Sequence, residues 1–273
     1  MRIRTVDVFT DRPFSGNPAA VVLLPAGAPF PEDDRLQRLA GELNLSETAY
    51  ARPLAQADPV DWELRWFTPR TEVNLCGHAT LATAHVLRNG DSVTGELRFH
   101  TRGGVLRATV SGDGITLDFP TAPLTAREVP EGVSAALGAQ AQAAYDTGPD
   151  VGDLLVELAD ETAVRTLSPD LTALGRLPHR GVIVTAGAAT SDAGYDYVSR
   201  FFAPAVGIPE DPVTGSAHTA LAPLWSGRTG RHALTGRQLS ARPGTVHTRL
   251  RGARTELTGS AVTVLDAELR TTF

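Results

Sequence analysis

Several short stretches of this chain carry side chains able to move protons or hold charge. Glu47 lies in Leu45-Ser46-Glu47-Thr48-Ala49-Tyr50, among small and apolar neighbours. Most glutamates are solvated surface groups, and only one withdrawn from water can be tuned to take and return a proton. Cys76-Gly77-His78 closes an irregular run and opens a segment of small residues. A thiol beside a helix N-terminus can have a lowered pKa and act as a base, although a lone cysteine is more often a small buried residue. An imidazolium at His78 would be opposed by the helix dipole, so a neutral ring able to donate or accept is expected. A satisfied helix-start histidine is the plain alternative. Asp211, before Pro212, suits a turn, or else it orients a histidine or holds a substrate amine or hydroxyl. Ser216 suits a helix N-cap. Alternatively its hydroxyl and the amides of Gly215 and Ser216 bind a substrate carboxylate, with Gly77 and His78 donating from the opposite half. Asn17, Trp66, Arg70 and His218 are the side chains expected to set specificity.

The elements that must position these groups come in two similar sets. Cys76-Gly77-His78 and Thr214-Gly215-Ser216 each end an irregular run and start a small-residue helix, about half the chain apart. That repetition predicts a duplicated domain with a site between the halves. In the first half, strands are expected near 3–9, 19–24 and 62–66, with a helix over 31–43 whose acids Glu32, Asp33 and Asp34 sit in the first turn. A strand begins at Ser46, and a helix runs from His78 to about Arg88, stopped by Asn89-Gly90. Alternating segments at 95–100, 105–110 and 115–119 read as an antiparallel meander. Residues 120–128, with prolines close by, are the candidate linker. The second half repeats the order: helix near 131–137, strands at 143–147 and 154–158, helix at 169–177, strands at 181–186 and 195–202, then the 207–218 turn, its helix and further strands. The expected domains are 1–120, completed by a C-terminal strand from about 262–273, and 128–260. Nowhere is there the regular βαβ alternation of a dinucleotide-binding sheet.

Composition narrows the chemistry. The chain has 273 residues, 42% hydrophobic and 21% charged, enough for two modest cores. All 25 basic residues are arginine, which removes Schiff-base lysine chemistry, pyridoxal phosphate with it, and a P-loop lysine. One cysteine leaves no intramolecular disulfide or multi-cysteine metal cluster, and the 7 histidines form no H-E-x-x-H pattern. A metal site therefore has no support in the sequence. A net charge of −6 without an arginine run argues against nucleic acid. Lacking an apolar stretch near ~20 residues or a signal-peptide core, the chain is expected to be cytoplasmic, with no membrane partner.

Taken together, Asp7-Val8-Phe9 with Ser15-Gly16-Asn17-Pro18-Ala19, Leu45 to Tyr50, Arg65-Trp66-Phe67-Thr68-Pro69, Cys76 to Thr80, Arg200-Phe201-Phe202-Ala203-Pro204 and Glu210 to Ala217 resemble the PhzF-like isomerases of the diaminopimelate epimerase fold. The match follows the family's order over most of the chain. It implies an α+β protein of two pseudo-symmetric domains, each a mostly antiparallel β shell wrapped around a central α-helix. It also implies a homodimer that works without cofactor or metal on a small carboxylate substrate bound between the domains. Residue by residue, the family's catalytic glutamate falls on Glu47, its histidine on His78 and its aspartate on Asp211. The substrate-binding glycine and serine fall on Gly77 and Ser216, with Gly215, Asn17 and Cys76 beside them. The implied reaction is a proton shift in which Glu47 removes a proton next to an acceptor group and returns it elsewhere on the same face. Thiol racemases of this fold carry a second cysteine base, where this chain has Thr214, a far weaker acid. Epimerisation with Cys76 as one base, or metabolite binding without turnover, are the competing readings.

Overall fold

A computed structural model describes residues 1–54, 61–91, 94–112 and 114–270. The chain divides into two compact units, Met1–Asp118 with Thr258–Phe273, and Phe119–Leu257.

The first unit begins β1 (Arg2–Val8), β2 (Asn17–Leu23), α1 (Asp33–Leu43), β3 (Glu47–Pro53), β4 (Asp61–Phe67), β5 (Glu72–Val73) and α2 (Gly77–Asp91). It continues β6 (Gly95–Thr101), β7 (Gly104–Ser111) and β8 (Gly114–Pro120). Pairing is antiparallel for β1 with β2, parallel for β2 with β3, antiparallel for β3 with β4, parallel for β4 with β6, then antiparallel for β6 with β7 and β7 with β8. Alternation in β4 turns Trp62, Leu64 and Trp66 inward while Glu63 and Arg65 stay half exposed. Helix α1 places Asp33 and Asp34 in its first turn, buries Leu36, Leu39 and Ala40, and stops at Asn44 in the left-handed region.

Helix α2 is the centre of this unit. Ala79, Leu81, Ala82, Ala84, Val86 and Leu87 are buried, and so are Thr80, Thr83 and His85. A helix buried all round needs short side chains and a partner for every hydroxyl. Both threonines supply their own, donating to the carbonyls of Cys76 (2.6 Å) and Ala79 (2.8 Å). Asn89-Gly90 does not stop the helix, which runs on to Asp91. The Asn89 amide lies 3.0 Å from the His85 ring one turn back, an anchor that offsets the weak helix propensity of Gly90.

The second unit contains β9 (Thr125–Arg127), α3 (Val133–Leu137), β10 (Ala141–Asp146), β11 (Asp153–Leu158), α4 (Glu161–Arg165), α5 (Leu171–Leu174), β12 (Gly181–Gly187) and β13 (Tyr197–Phe202). After these come α6 (Gly215–Thr229), β14 (Ala233–Gln238), β15 (Gly244–Arg251) and β16 (Arg254–Gly259). Pairing repeats the first unit step for step: β10 with β11 antiparallel, β11 with β12 parallel, β12 with β13 antiparallel, β13 with β14 parallel, β14 with β15 antiparallel. The last strand, β17 (Ala261–Glu268), returns to the first unit and pairs antiparallel with β1. Of the C-terminal strand expected to 273, residues 271–273 lie outside the described residues.

Residues 120–128 are not a free linker. They contain β9, which pairs with β10 as β17 pairs with β1. Pro223 explains part of the attachment. Inside α6 it has no N–H for the carbonyl of Thr219, four residues back, and that carbonyl instead accepts from the N–H of Ala122 at 3.2 Å. Helix α4 escaped the periodicity reading because five residues show no period. Its sequence signal is the Asp160 cap, which accepts from the Ala163 N–H at 2.8 Å. The helix expected over 169–177 shortens to α5 behind the same kind of cap at Asp170.

Candidate active site

In the first unit, β2 and β3 run parallel and start at the same end, with Ala19 opposite Glu47. The loop entering β2 is fixed by three residues in the left-handed region, Phe9, Phe14 and Gly16. A Cβ at Gly16 would stand 2.1 Å from the Val8 carbonyl oxygen, so only glycine fits. The Phe14 N–H donates to the buried Asp7 carboxylate at 2.6 Å. This bracing delivers Asn17, wholly buried, to the start of β2.

His78, the second residue of α2, is where these elements meet. Its Nε2 lies 3.0 Å from Glu47 Oε2, with both side chains largely buried. The two atoms are within ion-pair distance but not aligned as a hydrogen bond, which leaves each with unused capacity. On the other side of the ring, Nδ1 lies 3.4 Å from Asn17 Nδ2 and 3.6 Å from Cys76 Sγ. Ser46 Oγ donates to Asn17 Oδ1 at 3.1 Å, a contact the sequence did not single out, although Ser46 precedes Glu47.

Burial pushes the Cys76 thiol up, and the charge of Glu47 pushes it further. A helix N-terminus therefore does not make it a ready base. For His78, burial opposes the charge, while hydrogen bonding and charge interactions with the Cys76 sulfur and the Glu47 carboxylate favour it, and the net direction is upward. The helix dipole, which favours a neutral ring, is thus opposed by a carboxylate 3.0 Å away.

Glu47, Cys76 and His78 bring three potential ligand atoms within 4.8 Å of one another. Cys76 faces Nδ1 and Glu47 faces Nε2, and these nitrogens point away from each other. An ion bound to one of them is turned away from the group facing the other, so the trio is better arranged to pass protons than to hold a metal.

The second unit places Asp211, Thr214, Gly215 and Ser216 around the start of α6. Thr214 is the N-cap residue, but its hydroxyl turns away to donate to Asp211 Oδ2 at 2.5 Å. Gln238, wholly buried on β14, holds the turn: its Oε1 accepts from the Thr214 N–H (2.9 Å) and its Nε2 donates to the Asp211 carbonyl (2.8 Å). Ser216 Oγ accepts from Arg180 at 3.1 Å, and Arg180 is itself held by two hydrogen bonds to the buried carboxylate of Asp153 (3.0 and 2.6 Å). Gln238, Arg180 and Asp153 were not found from sequence, since nothing local marks a residue whose partner is dozens of positions away.

Two side chains expected to set specificity lie in cores instead. Trp66 is 1% exposed, on the inward face of β4. His218 is 0% exposed, its Nδ1 2.9 Å from the Tyr197 hydroxyl, and burial lowers its pKa to about 3. Arg70 is exposed.

The duplication is unequal at the candidate site. The second unit's counterpart of Glu47, at the start of β12, is Gly181. A Cβ there would stand 2.5 Å from the Phe201 ring, so no carboxylate can occupy that place.

The family model described as phenazine biosynthesis-like protein matches residues 6–267. An uncharacterized isomerase of Pseudomonas aeruginosa is 46% identical over 99% of this chain and 98% of its own length. The crystal structure of a PhzF family phenazine biosynthesis protein from Enterococcus faecalis superposes with a TM-score of 0.89 at 38% identity, covering 98% of this chain and 99% of that one. A hydroxyproline epimerase from Agrobacterium vitis shares the fold alone, with a TM-score of 0.61 at 12% identity over 98% of this chain and 91% of that one. The architecture is the epimerase-like fold, two similar units each with a largely antiparallel shell around a central helix.

Proposed function

Because the chain belongs to the phenazine biosynthesis-like family, we propose that it is a cofactor-independent isomerase shifting a proton within a small carboxylate-containing metabolite. Glu47 is the acid/base. As a carboxylate it takes a proton from a carbon next to an electron-withdrawing group, and as an acid it returns that proton to another carbon on the same face. His78 donates from Nε2 to the charge that develops in between. Asp211, Gly77, Gly215 and Ser216 position the substrate, and the working protein is a homodimer. No electrons leave the substrate, so the step balances as an isomerisation.

One observation carries this reading: a largely buried carboxylate stands 3.0 Å from a buried imidazole at a helix start, and neither atom is spent on an aligned hydrogen bond. Gly181 at the matching place in the second unit supports a single carboxylate acid/base, and Thr214 in place of a second cysteine weighs against a two-thiol racemase. Cys76 as a base is the weaker reading, since burial and Glu47 both disfavour its thiolate.

The test is a metabolite screen in heavy water, scored for deuterium uptake, with Glu47→Gln run alongside. Turnover of the substrate found is expected to fall ~10²- to ~10⁴-fold in the variant. Full activity of Glu47→Gln would remove Glu47 from the chemistry, and saturable binding with no deuterium uptake would make the chain a binding protein.

A further inference from the structure

A histidine that changes charge inside a protein leaves a problem at the nitrogen that gains or loses the proton. Nε2 of His78 stands 3.0 Å from the Glu47 carboxylate, which can only accept when ionised, so the tautomer that suits the neutral ring carries its hydrogen on Nε2. The proton that comes and goes is the one on Nδ1. Neutral, Nδ1 needs a donor; charged, it needs an acceptor. A fixed partner satisfies one state and leaves the other with an unpaired buried polar group, which is costly away from water.

Asn17 can serve both states. As placed, its Nδ2 is directed to Nδ1 at 3.4 Å and its Oδ1 accepts from Ser46 Oγ at 3.1 Å, the arrangement that suits a neutral ring. Turned over by 180°, the amide would present Oδ1 to an Nδ1–H and Nδ2 to Ser46. A hydroxyl rotates to accept as readily as it donates, so Ser46 is matched in both orientations. Cys76 Sγ, 3.6 Å from Nδ1, can likewise donate or accept weakly. We infer that Asn17 is a positioning residue whose amide turns over with the charge of His78, keeping Nδ1 partnered through a cycle of proton loss and gain.

The titratable groups that act on His78 are Glu47 and Cys76. Of the strands packed against α2, β1 carries Asp7, which accepts from Phe14, and Arg2 and Arg4, which pair with Asp266 of β17. On β17, Glu268 pairs with Arg270. On β3, Arg52 pairs with Glu63, and on β7, Arg107 pairs with Glu96. Strand β2 brings none. His85 and Arg88 lie further along α2 itself.

This inference rests on His78 being a working group of the proposed site, but its test reads the proton itself and needs no substrate. The full chain is labelled with ¹⁵N, His78 is assigned by His78→Gln, and its ring nitrogens are titrated by NMR. In the unaltered protein the Asn17 side-chain amide resonances are expected to move with the His78 midpoint; resonances flat across that midpoint overturn the inference. Asn17→Asp, which only accepts, is expected to raise the midpoint by ~1–3 units, and Asn17→Leu, which does neither, to lower it. Midpoints that agree within about 0.3 unit across the three proteins also overturn it, a shift too small for a direct partner. If Glu47→Gln proves fully active while Asn17 and His78 titrate together, the proposed function fails and this inference stands.

Discussion

Acidification below neutrality should destabilise this protein through two histidines that have nothing to do with the proposed chemistry. His218, on α6, is wholly buried against Tyr197, and burial lowers its pKa to about 3. His85, near the far end of α2, is held at about 4 by burial and by the charge of Arg88 beside it. The ordinary value is ~6.5. Between the folded and ordinary values the unfolded chain binds these protons and the folded chain does not. Stability is therefore full above pH ~6.5 and is lost as pH falls toward the folded values. At pH 4.5, two units below the ordinary value, each histidine costs up to about 2.7 kcal/mol, at ~1.36 kcal/mol per unit. Together they approach about 5 kcal/mol, the lower end of what a domain has in total. His78 acts in the opposite sense: its folded value is raised, so its contribution is present below pH ~6.5 and is lost as pH rises, which confines its slope to the neutral end of the range. The paired carboxylates Asp33, Asp61, Asp146 and Asp266 are pushed down and lose their contribution only at lower pH. The assay is urea unfolding followed by tryptophan fluorescence from pH 7.5 to 4.5, on the parent and on His85→Gln/His218→Asn. The parent's unfolding free energy should fall by several kcal/mol, and the double variant's curve should be much flatter. An unchanged slope in the double variant, or a flat curve in the parent, would refute the assignment of these protons.

Other outcomes follow from single features. Cys76, buried and with its thiolate disfavoured, should react with a thiol reagent at pH 8 at least ~100-fold more slowly in the native protein than after denaturation; equal rates would restore it as a candidate base. Gly16→Ala puts a side chain at φ 66° and 2.1 Å from a carbonyl oxygen, so a loss of about 2–4 kcal/mol is expected by chemical denaturation. The same variant should disturb Asn17 and with it the His78 resonances; a stable protein with unchanged spectra would show that the loop does not fix Asn17.

Much of the candidate site could be read in sequence because its parts are local. Cys76-Gly77-His78 and Thr214-Gly215-Ser216 announce helix starts by glycine and small-residue composition, and each helix connects a parallel pair at the same step of the strand pairing, β4 to β6 and β13 to β14. The long strands and α1 were legible for the same reason, since period and caps are written within a few residues. Short elements were not: α4 has too few residues to show a period, and β9 looked like a linker because its pairing with β10 and the contact of Ala122 with Thr219 depend on the fold.

What sequence alone determined was the set of reactive groups and the absence of lysine chemistry. Tertiary structure decided which groups face each other and which are removed from water. It set Glu47 against His78 and braced Asn17 behind the ring. It also sent Trp66 and His218 into cores and closed the second unit's counterpart of Glu47 with the Phe201 ring. The physical reason is that pKa and hydrogen-bond partnership depend on distance and burial, and partners such as Asn17 and His78 are 61 positions apart in the chain.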